Sequence, residues 1–129
     1  MDTLKQLKTF EDACKVEGLD PEKVIPDFSM YPEKDRKAMI AHAKLIIVVR
    51  AANRIVNEGK EWAPDWDNDN WDKYYAWFEM GVSSGFRFNE CDDWHSHSYV
   101  GSRLCFISRG ACEYVAEQFF ELYKDYFIV

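Results

Sequence analysis

From residue 38 to 56, apolar side chains return every three or four places: Ala38, Ala41, Leu45, Val48, Val49, Ala52 and Val56. That is a helical period. Ile40, Ile46 and Ile47 widen the stripe, so the pattern predicts a helix covered on most sides. It would run from Glu33 to Asn57, begun after Pro32 and ended by Gly59, about 37 Å long at the standard rise per residue. The run LIIVV alone fits a buried strand equally well; its Ala-rich flanks and length decide for helix.

Shorter patterns flank it. Thr9 is placed to cap a first helix, with Asp12 at the capping-box position, Gly18 to end it, and Phe10, Ala13 and Cys14 on the buried face. Residues 19–32, broken by Pro21, Pro26 and Pro32, read as a packed connector with one helical turn at Asp20-Pro21. Residues 73–80 and 85–91 have strand character around a loop in which Gly81 and Gly85 supply turn freedom. Phe86 and Phe88 would face one side of that hairpin, Arg87 and Asn89 the other. Residues 102–108 alternate as a third strand, with Leu104 and Phe106 on one face. Arg109–Phe127 then reads as one C-terminal helix, capped by Ser108, with Cys112, Val115, Phe119, Leu122 and Tyr126 aligned. The expected architecture is a single α+β domain over residues 1–129. A small antiparallel sheet, hairpin plus one strand, packs against a long central helix and a C-terminal helix.

Composition narrows the function. A chain of 129 residues, 47% hydrophobic, can bury a core without disulfide or structural metal. A net charge of −7 argues against direct nucleic-acid binding, which needs Lys and Arg to displace counterions. The charge is concentrated. From Glu58 to Asp72 six acids (Glu58, Glu61, Asp65, Asp67, Asp69, Asp72) face one base, Lys60, a net of −5. The first residues, MDTLKQLKTF, lack the apolar core of a signal peptide, and the longest apolar run carries Lys44 and Arg50. A soluble cytoplasmic protein with four reduced thiols (Cys14, Cys91, Cys105, Cys112) and no membrane association is therefore expected.

Candidate chemistry is sparse. The run from Asp65 to Asn70 imitates a calcium loop, but Asn70 stands where a glycine should allow the turn, Ala76 where a bidentate Glu should sit, and Trp71 at a ligand position. Cys91, Asp93, His95 and His97 are zinc-competent types, yet Cys-x3-His-x-His followed by Cys-x6-Cys fits no standard module. Cys105 and Cys112 suit a strand and a helix's inner face instead. No nucleophile elbow, phosphate loop or dinucleotide fingerprint occurs, so no catalytic residue, cofactor or metal is assigned. His42 reads as a partly buried helix residue.

What remains is a surface of aromatics among acids. The sequence points to a non-enzymatic interaction protein that meets a protein partner through Trp62, Asp65, Trp66, Asp67, Asp69 and Trp71. At least two of the loop tryptophans (Trp62, Trp66, Trp71, Trp94) are expected to fold back over the sheet. One alternative is a metal site or metal-dependent enzyme on Cys91, Asp93, His95 and His97; another is sugar binding by the tryptophans.

Three motifs carry a resemblance: Trp-x-Pro-Asp-Trp (62–66), Lys-Tyr-Tyr-x-Trp-Phe (73–78) and Val-Gly-Ser-Arg-Leu-Cys-Phe (100–106), followed by an aromatic helix. In that order they resemble a family of small uncharacterised proteins of gut Bacteroidetes and their phages or integrated elements, in which Pro often stands where this chain has Ala76. The resemblance implies a cytoplasmic setting and a mobile-element role, and no catalytic residues.

Overall fold

The structure, a computed structural model, describes residues 2–64, 73–79, 87–94 and 103–128. Its elements are a 3-10 helix (Asp2–Gln6), α1 (Phe10–Glu17), α2 (Glu33–Val56), β1 (Lys73–Glu79), β2 (Arg87–Trp94), α3 (Arg109–Gln118) and α4 (Phe120–Phe127). This is an α+β fold built around a long central helix. Helices α1, α3 and α4 pack on α2, and the sheet packs on α3.

α1 forms where its end signals lie. Thr9 Oγ1 accepts from the Asp12 amide at 3.1 Å, and Asp12 Oδ2 accepts from the Lys8 and Thr9 amides at 3.0 Å each. Gly18 closes the helix at φ 72° while Leu19 N–H bonds back to Cys14 O at 2.9 Å. Asp20 caps the connector's turn, with the Val24 amide on its carbonyl at 2.9 Å and the Glu22 amide on its carboxylate at 3.0 Å. Ahead of α1, the 3-10 helix buries Leu4, and Leu7 just after it is buried too. Two apolar residues are too few to give a periodic signal, and this element is absent from the sequence reading.

α2 buries Ala41, Leu45, Ile47, Val48, Val49, Ala51, Ala52 and Asn53. Its end differs in detail from expectation. Gly59, at φ 86°, donates to Arg54 O at 2.8 Å as the expected terminator, but Glu58 before it is left-handed too, at φ 59°. Glycine is the usual occupant of that conformation.

The sheet has two strands among the described residues, paired antiparallel. Trp77 pairs with Glu90 and Phe78 with Phe88, so Asn89 is an extra residue on β2. That bulge reverses the side-chain parity of β2. Phe88 before it and Cys91 after it therefore both pack inward, opposite Phe78 and Ala76. The expected third strand reduces to one bridge, where Tyr74 and Phe106 exchange hydrogen bonds of 3.2 and 2.7 Å. On the segment's other side Asn53 takes the next strand's place: its Nδ2 donates to Cys105 O at 3.0 Å and its Oδ1 accepts from the Ile107 amide at 2.9 Å. The expected Phe86 and the hairpin loop lie outside the described residues.

The C-terminal segment is two helices, not one. Ser108 caps α3 through the Ala111 amide at 3.1 Å. The backbone then leaves helical geometry at Phe119 (φ −111°, ψ 32°). Phe119 and Tyr123 are both buried, and Tyr123 meets Phe78 at 4.8 Å between ring centres. Aromatic packing at the break closes the core below the sheet.

Candidate functional site

Past Val56 the chain reverses and runs back along α2. The turn is tied by the Asn57 side chain, which donates to Lys60 O at 3.2 Å and Glu61 O at 3.3 Å. Arg54 Nη1 donates to Gly59 O at 3.2 Å, and Arg50 Nη2 meets Glu61 Oε2 at 2.8 Å. Residues 61–64 are thereby laid beside the C-terminal half of α2.

The guanidinium groups that hold this turn are themselves held from behind. Glu17, at the end of α1, has a side chain only 3% exposed. It receives Arg54 Nε at 2.7 Å and Arg50 Nε at 3.3 Å. The bond from Glu17 and its charge raise the Arg54 pKa above its ordinary value. A carboxylate this buried requires such partners, since removal of one leaves an uncompensated charge. Glu17, Arg50, Arg54 and Glu61 thus form one chain of charge from α1 through α2 to the returning segment.

Between the returning segment, α2 and residues 103–105 lies a cleft of about 440 Å³. Ile46, Val49, Trp62 and Pro64 supply its apolar wall; Arg50, Glu61 and Arg103 supply charge. Asn53 and Cys105 lie at its base, and Asn53 spends both ends of its amide on the backbone of Cys105 and Ile107. The arrangement binds shape and charge.

Of the residues picked from sequence, Trp62 is half-buried in the wall of this cleft. Asp65, Trp66, Asp67, Asp69 and Trp71 lie outside the described residues, as do His95 and His97. Cys91 is bonded to Cys112 of α3, with Cα atoms 6.4 Å apart. This overturns the expectation of four reduced thiols and removes the Cys91 sulfur from any metal-ligand set. Asp93 sits opposite Tyr74 in the β register. Among the described residues no group of three or more His, Cys, Asp or Glu side chains could hold a metal ion. Cys14 and Cys105 are buried thiols outside the disulfide. Burial raises the Cys14 pKa, which makes that thiol less nucleophilic.

His42 is half-buried and stacked on Tyr126, ring centres 4.5 Å apart, and burial lowers its pKa below 6.5. Sequence reasoning missed Glu17, Arg50, Asn53 and Arg103. A signal existed for Asn53, a polar residue inside the apolar stripe between Val49 and Val56. Among the described residues no helix is long and apolar enough to cross a membrane. No match to this chain is found among protein-family models, curated proteins or solved structures.

Proposed function

We propose that this protein is a non-enzymatic interaction protein that contacts a protein partner through the aromatic-acidic stretch beginning at Trp62. The observation that carries this reading is the anchored turn at 57–61. Side-chain bonds from Asn57, Arg54 and Arg50 fix the point from which the acid-rich stretch departs, and seat Trp62 in a cleft wall. A rigid base lowers the ordering cost of any contact made just beyond it. Tryptophan among carboxylates suits a partner with a basic rim and an apolar pocket.

The strained Glu58 at the head of the stretch agrees with this reading, because sparsely populated backbone conformations gather at functional segments. A phage or mobile-element origin, which the motif resemblance implies, makes a nucleic-acid-binding protein a natural partner for so acidic a chain. The cytoplasmic setting belongs to the same reading. Counting free thiols in protein trapped directly from cells tests it: four free thiols support the cytoplasmic setting, and an intact Cys91–Cys112 bond, which favours an oxidising compartment, contradicts it.

The interaction is tested by comparing proteins retained by the immobilised wild type and by a Trp66→Ala/Trp71→Ala variant. A partner held by the first and lost from the second is expected. Identical sets would sink the proposal.

A further inference from the structure

A second concavity lies toward the other end of α2. Between its N-terminal half and α4 runs a groove of about 360 Å³ whose floor is Ile40, Ala41 and Leu122. Ile40 is 37% exposed, a large apolar side chain with water over it. Arg36, Lys37 and Lys44 stand around this floor, against the carboxylates Glu33 and Asp125.

The sign of that rim runs against the composition. The whole chain carries −7, yet α2 holds six bases (Lys34, Arg36, Lys37, Lys44, Arg50, Arg54) and two acids (Glu33, Asp35). In its C-terminal half the cations are committed, Arg50 and Arg54 to Glu17 and Arg50 also to Glu61. In its N-terminal half Arg36, Lys37 and Lys44 border the groove. Lys37 meets Asp125 at 3.3 Å, but the Lys37 side chain is 77% exposed. An ion pair this open holds its partner weakly and can be exchanged for an incoming carboxylate. Lys44 is steered by the Phe10 ring, 5.3 Å from its ammonium, and Arg36 by donation of Nε–H to Tyr31 O at 2.8 Å. These cations are oriented before any ligand arrives, which favours charge-matched recognition.

We propose that the α2–α4 groove docks an acidic peptide segment of a protein partner. The segment sets an aliphatic or aromatic side chain over Ile40, and its carboxylates meet Arg36, Lys37 and Lys44. The charge complementarity selects this occupant: an apolar floor alone would take any hydrophobic peptide, and the cationic rim restricts it to an acidic one. This site is independent of the aromatic-acidic stretch, which suits a partner of the opposite charge.

The test is fluorescence anisotropy with a short fluorescein-labelled peptide that places a Leu and a Phe among glutamates, alongside the same peptide with glutamines. Saturable binding of the glutamate peptide is expected, weakened about tenfold or more by Lys37→Gln/Lys44→Gln and by Ile40→Ser. Circular dichroism and melting temperature establish that both variants fold. The proposal is overturned if the wild type shows no saturable binding, or if the glutamine peptide or the lysine variant binds equally well. Retention by phosphatidylserine vesicles without peptide binding would likewise overturn it and assign the groove to an anionic lipid surface.

Discussion

Asn53 is the residue on which the cleft depends most. It is 3% exposed and gives its side-chain amide to two backbone groups of the 105–107 segment. Replacing it with Ala removes both side-chain bonds, to the Cys105 carbonyl and to the Ile107 amide. Asn53→Ala is expected to destabilise the fold by about 2–3 kcal/mol, read from urea unfolding. Glu58 makes the opposite case. At φ 59° a side chain strains the backbone, so Glu58→Gly is expected to raise stability by up to about 1 kcal/mol. His42 gives a pH dependence. Burial lowers its pKa below 6.5, so between the folded and unfolded values the unfolded chain binds more protons. Its contribution is complete above 6.5 and is lost as the pH falls through the lowered folded value. The fall in melting temperature between about pH 7.5 and pH 5 should therefore be smaller for His42→Gln than for the wild type.

At the scale of elements, local signals were legible and non-local ones were not. The capping box of Thr9 and Asp12, the Ser108 cap and the span of α2 follow from side chains within a turn of one another, and each lies where the pattern placed it. The third strand fails because alternation does not reveal which groups a backbone will meet. One edge of residues 105–107 bonds to β1, and the other bonds to a helix side chain. The break at Phe119 has no Pro or Gly to announce it and depends on where the aromatic rings pack. The Cys91–Cys112 bond is equally non-local, because the bulge at Asn89 turns Cys91 toward α3. Arg109 reinforces that joint, donating to Cys91 O at 2.6 Å with its guanidinium 5.3 Å from the Tyr74 ring centre. The disulfide closes a loop across a sequence separation of 21. Cys112→Ser is therefore expected to lose about 3 kcal/mol in urea unfolding, with no further loss on adding dithiothreitol.

Across the whole molecule, charge is sorted rather than spread. The excess of acid gathers just past the C-terminus of α2, and Arg36, Lys37 and Lys44 in α2's N-terminal half border an apolar groove. Composition revealed the first of these and hid the second, because a net charge of −7 averages over both. Of the residues that line the cleft, the sequence singled out Trp62, while Asp65, Asp67 and Asp69 lie outside the described residues. The cleft behind Trp62 needed α1, α2 and residues 103–105 brought together, which no single stretch encodes.

The central claim is that the stretch beginning at Trp62 is the face a partner meets. Site-specific photo-crosslinking tests it most directly, with a benzophenone side chain in place of Trp66 or Trp71, and in place of the exposed Glu113 on α3 as control. The expected result is one and the same adduct from positions 66 and 71 and none from 113. Adducts from 113 alone, or the same adducts from all three positions, would contradict it.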